Sequence, residues 1–403
     1  MPVNHQALYP LRYSWMLTLF LLPIASCWAQ LGVPLYLSEH TKVSLLTSSP
    51  GEELYARFGH SALRIRDTLS GQDLVFNYGL FDFNTPGFYL KFVRGKLPYQ
   101  LGIQRFPDFL EHYQEENRWL RELDLHLDLE TRNALVRFLS VNYLPENRQY
   151  AYDFFFDNCA TRLRDLLERE AGITYPDTLA VRNLPFRQFL AEYTGEHSWI
   201  NFGFHLILGL PADKRATFRE EMFLPDFLEK HLANSEVRGI RLAQSGIRTL
   251  HKAPRLSPGN LFWDPRLLGW VLFTLSLALT VFFPGNGTDR FDRIYFLLIG
   301  LAGTLFVFMW IGTDHTVTYR NVNLLWANPA YLLLPHLRQK GWRLGLIAIL
   351  GVLVLVTLLG WQLLPQTFHP AVIPLLLTHL LRLAGQSGAF LYVYEKYNRH
   401  PSI

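Results

Sequence analysis

Tyr152-Asp153-Phe154-Phe155-Phe156-Asp157-Asn158-Cys159-Ala160-Thr161-Arg162-Leu163 is an aromatic run that stops at two residues favoured at a helix N-cap. Beyond them Leu163, Leu166 and Leu167 fall on one face at helical spacing, so a helix is predicted over 159–170. Cys159 then stands in its first turn. Unpaired backbone N–H groups and the positive end of the helix dipole stabilise a thiolate there and lower its pKa. A cysteine acting only as a small buried hydrophobe has no need of such a place.

Cysteine usage sharpens the point. The 403 residues hold two cysteines, Cys27 and Cys159. At the start of the chain Arg12 precedes an apolar run over 15–24, and Ala25-Ser26-Cys27-Trp28-Ala29 offers small residues at the −3 and −1 sites of a cleavage after Ala29. Residues 1–29 are therefore expected to be a signal peptide. Two alternatives stand beside this: Ile24-Ala25-Ser26-Cys27 is similar to a lipobox that would lipidate Cys27, and the segment could stay as an N-terminal anchor. All three deliver the next segment across a membrane. Once cleaved, the chain holds one thiol in an oxidising compartment, where no internal disulfide can form.

A nucleophilic cysteine needs a base within hydrogen-bond reach. Of the 14 histidines, His112, His126, His231 and His251 lie in polar helical or loop contexts. His60 differs: it follows Gly59 at the mouth of Ser61-Ala62-Leu63-Arg64-Ile65-Arg66, which alternates with the period of a strand. A Ser70-Gly71 turn leads on to Asp73-Leu74-Val75-Phe76-Asn77-Tyr78, so a hairpin is predicted. Residues 41–47 read as an earlier strand, 107–116 and 129–142 as amphipathic helices, and 186–256 as short helices broken at Pro211, Pro225 and Pro254. Residues 81–99 are aromatic, punctuated by Gly and Pro, and show no clean period. Together 30–265 read as an α+β catalytic domain.

Asn77 and Tyr78, on the strand paired with that of His60, are candidates to orient the imidazole or support an oxyanion; so are Asp157 and Asn158 beside the thiol. Turn or cap duty is the alternative for each. Ser61 is a rival nucleophile without the G-x-S-x-G elbow. With no H-E-x-x-H, paired cysteines, EF-hand loop, Walker loop or Rossmann fingerprint, neither a metal nor a cofactor is expected. A net charge of +4 with no dense Lys/Arg stripe points away from nucleic acid.

Residues 266–403 change character. Four apolar runs, near 267–283, 294–312, 344–364 and 371–393, have spanning length and predict a four-helix transmembrane bundle. Arg382 interrupts the last and is expected to face the bundle interior. Residues 324–336 are apolar but too short to cross as a helix and read as an interfacial or re-entrant piece. An exported N-terminal domain puts 284–293 and 365–370 in the cytoplasm, and 313–343 outside. Arg320, Arg338, Lys340 and Arg343 then lie outside against Arg290 and Arg293 inside, contrary to the positive-inside rule. The polar stretch from Thr313 to Pro329 carries Asp314 and His315, which either hold the loop or hold a lipid headgroup or acceptor.

The segments Phe58-Gly59-His60-Ser61-Ala62-Leu63-Arg64-Ile65, Asn77-Tyr78-Gly79-Leu80-Phe81-Asp82-Phe83 and Asp157-Asn158-Cys159-Ala160-Thr161-Arg162 resemble the Lnb-type bacterial lipoprotein N-acyltransferases. Asp314-His315 and Asn321-Val322-Asn323-Leu324-Leu325-Trp326 are similar to that family's membrane part. The order His first, Cys later is similar to the permuted papain/NlpC-like thiol fold shared with lecithin:retinol acyltransferase. The resemblance implies Cys159 as nucleophile and His60 as base, with Ser61, Arg64, Asp314, His315, Asn321 and Asn323 as candidates for substrate contact. It implies a bacterial inner-membrane enzyme with a periplasmic catalytic domain. A phospholipid would be the acyl donor, and the N-terminal amine of a diacylated lipoprotein the acceptor. A periplasmic cysteine peptidase or amidase acting on peptidoglycan peptides explains the thiol without the membrane helices. A non-enzymatic membrane scaffold with an inert Cys159 is the third reading.

Overall fold

A computed structural model describes residues 37–177, 179–195, 198–254, 264–282 and 286–387. The expected signal segment and Cys27 lie outside the described residues. The N-terminal half is an α/β domain built on strands β1 (Thr41–Ser48), β2 (His60–Asp67), β3 (Asp73–Leu80), β4 (Pro98–Arg105), β5 (Leu120–Leu125) and β6 (Gln149–Ala151). Two short strands, β7 (Ile173–Thr174) and β9 (Ile240–Arg241), flank β8 (Glu236–Val237) in a small second sheet, and β10 (Arg248–His251) returns to the first. The main sheet runs β10-β5-β1-β2-β3-β4-β6, antiparallel throughout. The expected β2–β3 hairpin forms, pairing Leu63 with Phe76.

Helices of this half are α1 (Phe88–Val93), α2 (Phe106–Glu115), α3 (Leu129–Tyr143), α4 (Cys159–Ala171), α5 (Phe186–Thr194), α6 (Trp199–Ile207), α7 (Phe218–Glu221) and α8 (Pro225–Leu232). Leu46, Ala62 and Val75 bury one face of the sheet against Phe109 and Tyr113 of α2. Strand alternation turns Leu45, Leu63 and Phe76 to the opposite face, where they are also buried; α4 packs on β2 and β3, with α3 beside it. Sheet and helices thus converge on one corner, where β2 begins, β3 ends and α4 starts. The expectation of helices alone over 186–256 is corrected by β8, β9 and β10. These strands have two to four residues, too few for an alternation to register.

The C-terminal half contains α9 (Pro265–Phe282), α10 (Asn286–Ile311), α11 (Lys340–Leu359) and α12 (Val372–Gln386). Among the described residues three helices, Pro265–Phe282, Thr288–Ile311 and Lys340–Leu359, are long and apolar enough to cross a membrane; α12 is shorter. Buried Arg382 faces inward as expected and pairs with Asp292 at 2.8 Å.

Between α10 and α11 the chain runs back along α10 in irregular 3-10 turns, Val322–Leu325 and Pro329–Leu333. Thr318 Oγ1 donates to the Met309 carbonyl, and the Phe296 and Tyr331 rings stack at 5.2 Å. A Cβ on Gly303 would lie 2.3 Å from the Ala327 carbonyl oxygen, so only glycine admits the crossing backbone. The run ends where Arg343 meets Gln386, itself bonded to Asp292 near the start of α10. The other end of α10 is tied to the N-terminal domain, the Asp314 N–H donating to the Arg94 carbonyl at 2.9 Å.

This corrects the sidedness expected from the sequence. Residues 365–370 lie at the end of the N-terminal domain, since the Thr367 N–H donates to Asp213 at 3.0 Å and Gln366 accepts from the Val322 N–H at 2.8 Å. Arg343 lies at the far end, with the start of α10. Counting apolar helices does not register this return along α10, because it is not a helix of spanning length. Arg338, Lys340 and Arg343 thereby lie at the same end of α10 as Arg290 and Arg293, which leaves Arg320 at the other end.

Candidate active site

The N-cap of α4 is Asn158. Its Oδ1 accepts from the Ala160 and Thr161 N–H groups, both at 2.9 Å, and Thr161 Oγ1 accepts the Asn158 N–H in return, completing a capping box. Its Nδ2 donates to the carbonyls of Phe154 and Phe223. All its polar atoms are thus spent on fixing the helix start. Cys159 follows in the first turn, 8% exposed.

At the head of β2, the His60 imidazole faces Cys159, and the two groups act on each other's charge. On its other side Nε2 lies 2.6 Å from Asn77 Oδ1. A carboxamide oxygen only accepts, so Nε2 carries the hydrogen and Nδ1 is left to exchange a proton with the thiol. Gly79, at φ +91°, sits where β3 shifts register; a Cβ there would come 3.8 Å from Cys159 Cβ and 3.9 Å from His60 Cε1. Gly79 is a residue of the site that sequence reasoning alone misses. A glycine inside a strand pattern was the available signal for a close approach.

Burial raises the Cys159 thiol pKa, but the facing His60 charge and hydrogen bond, with N–H donors from Ser61 and Ala160, hold it below its ordinary value. For His60 burial acts downward, and the thiolate and the Asn77 bond outweigh it, leaving the imidazole raised. The two shifts have one cause: each charged partner favours the other, so the arrangement favours a thiolate–imidazolium pair. Such a pair can attack a carbonyl carbon and return a proton to a leaving group, with two backbone N–H groups beside the sulfur.

The remaining candidates separate by position. Tyr78 points away from His60, its hydroxyl donating to Asn142 Oδ1 at 2.5 Å. Asp157 is paired with Arg162 at 2.6 Å. Ser61 offers its backbone to Cys159, while its buried hydroxyl has no partner among the described residues. Arg64 is buried in an ion-paired cluster with Asp73 at 2.6 Å and Glu122 at 2.9 Å, under the Phe106 ring. That engages Arg64 in structural packing, with its guanidinium held by two carboxylates.

Asn321 and Asn323 are engaged likewise. Both are buried; Asn321 Nδ2 donates to the carbonyls of Leu206 and Ile207, and Asn323 Nδ2 to those of His205 and Leu206. They satisfy the carbonyls that α6 leaves unpaired at its C-terminus, clamping the two halves together. Asp314 and His315 dock on the turn after α1: His315 Nε2 is 3.2 Å from the Phe92 carbonyl, and the Asp314 carboxylate 3.7 Å from Lys96. Thr316 donates to Asp153, which also accepts from the N–H groups of Phe155 and Phe156 and so shapes the loop before Cys159.

Two family descriptions match the chain. The Lnb N-terminal periplasmic domain matches residues 36–191, which include His60, Asn77 and Cys159; the Lnb transmembrane domain matches 258–392. No curated protein and no solved structure matches.

Proposed function

The chain belongs to the Lnb family, a membrane protein with a periplasmic domain, and from that premise we propose that it is an inner-membrane, thiol-dependent lipoprotein N-acyltransferase. The observation that carries this reading is the Cys159–His60–Asn77 array, in a domain clamped to apolar helices of spanning length. A histidine on a strand preceding a cysteine at a helix N-terminus accords with a permuted NlpC-like thiol fold.

Cys159 thiolate attacks the ester carbonyl of a membrane phospholipid. The oxyanion of the tetrahedral intermediate is held by backbone N–H groups at the start of α4. His60 gives its proton to the departing oxygen, releasing a lysophospholipid and leaving a thioester on Cys159. The α-amine of a diacylglyceryl-cysteine lipoprotein then attacks the thioester. His60 takes the amine proton, an amide forms, and the thiolate is regenerated. Asn77 holds the imidazole in the tautomer this exchange requires. Clamping the site to membrane helices raises the local concentration of both lipid substrates.

The test is mass spectrometry of lipoprotein N-termini in a strain depleted of its own N-acyltransferase. Triacylated termini with the parent chain and diacylated ones with Cys159→Ala are expected. Diacylated termini with both, at equal expression, would reject the reading; loss of peptidoglycan cross-bridges instead would favour a peptidase.

A further inference from the structure

Residues 81–99, which had no period in the sequence, form an aromatic lobe. Phe81 follows Gly79 by two residues, and it packs Phe83 at 5.0 Å and Tyr99 at 5.3 Å; Tyr99 in turn stacks on Tyr152 at 4.3 Å. Inner rings of the lobe therefore adjoin the site. Its outer surface is apolar and uncovered: Tyr89 is 80% exposed, Leu90 63%, and Phe83, Phe92 and Val93 are exposed too. A soluble surface seldom gathers so many large apolar side chains in one short stretch.

The height of the lobe is fixed by its neighbours. Apolar α10 ends at Ile311, itself 77% exposed, and three residues on Asp314 bonds Arg94, while His315 bonds Phe92. The lobe thus lies level with the end of a spanning helix, where a bilayer passes from acyl chains to headgroups. Its composition suits that layer: aromatic and aliphatic tips flanked by Lys91, Arg94 and Lys96, whose charge complements anionic phosphates.

We propose that this lobe is seated in the outer leaflet of the inner membrane, and that it is the route by which a phospholipid reaches Cys159. The seat stands on geometry alone; the delivery of lipid to the thiol rests on the acyl-transfer reading. Tyr89, Leu90 and Phe92 displace lipid packing beside the site, and the inner rings give an acyl chain an apolar path from the leaflet toward Gly79. No such path would be needed for a water-borne substrate.

The experiment uses the full chain in vesicles of phosphatidylethanolamine and phosphatidylglycerol carrying a phospholipid with a diazirine in its acyl chain. Illumination followed by peptide mass spectrometry should place adducts within 83–93 as well as on the spanning helices. The turn holding Leu69, 74% exposed at the opposite end of the β2–β3 hairpin, should carry none. Leu90→Asp should remove the lobe adducts, keep those on α9–α11, and slow acylation of Cys159 on the order of tenfold. Alkylation of Cys159 by a small soluble reagent should keep its parent rate, which shows that the variant is folded. Adducts confined to the spanning helices in the parent chain would overturn the seat, including the case of a protein partner covering the lobe. Lobe adducts in a parent chain whose Cys159 is never acylated would support the seat and reject the acyl-transfer reading.

Discussion

At the scale of single residues, His60 decides whether Cys159 reacts. In the folded chain the thiol pKa lies below its ordinary value and the imidazole above it, so each charged form holds over a wider pH range than in a free side chain. The reactive thiolate is lost as pH falls through the lowered thiol pKa; imidazolium is lost as pH rises through the raised histidine pKa. Iodoacetamide alkylation of Cys159 should therefore stay fast well below the pH at which a free thiol loses reactivity. His60→Ala removes the opposing charge and leaves burial to act alone, so the acid limb should move to higher pH and acyl transfer fall about 10²–10⁴-fold. An unchanged alkylation profile would detach His60 from the thiol. Asn77→Ala removes one hydrogen bond and should cost up to about tenfold in rate, chiefly in kcat. The placement of Cys159 at a helix start and of His60 at a strand head was legible in the sequence because cap residues and strand alternation are local signals. Between Asn77 and Tyr78 the sequence could not choose, since only the pleat of β3 says which of two neighbours turns toward His60.

At the scale of elements, the start of α4 carries much of the precision of the site. Asn158 gives up all its polar atoms to the helix start and to two carbonyls. Asn158→Ala should destabilise the chain by about 1–2 kcal/mol, read from thermal unfolding. In the fraction still folded the pH profile of alkylation should keep its shape, as expected of a cap; a shifted profile would instead make Asn158 part of the chemistry. The strands of the β2–β3 hairpin, α2, α3 and α4 were all readable from period and caps. Strand β5, by contrast, hides an ion-paired core: Glu122 is buried against Ser44, Arg64 and Arg248. Charged residues inside a sheet look like surface in a sequence, and Arg64 is one of them.

At the scale of the whole molecule, hydrogen bonds to backbone clamp the two halves together. Asn321 and Asn323 close the end of α6, and Thr367 reaches Asp213. A cysteine placed at Thr367 in the Cys159→Ala chain should label from the side of the N-terminal domain, and one placed at Arg338 from the opposite side. Both labelling from one side would rule out the return pass along α10. Asn323→Leu, which deprives the His205 carbonyl of its donor, should loosen the clamp and lower activity with little change in the alkylation profile of Cys159. Composition gave the division into halves. It could not give the return of 321–339 along α10, because hydropathy registers helices of spanning length and this segment is not one.

That pass has a consequence for biogenesis. A helix satisfies its own backbone and can enter a bilayer unaided, whereas irregular backbone needs neighbours to cover it. The stretch 321–339 therefore takes its place only when α10, α11 and α12 are already gathered around it, which makes it the last part of the membrane half to settle. On gentle warming in detergent its amides should be the first there to exchange with deuterium, ahead of those of α10.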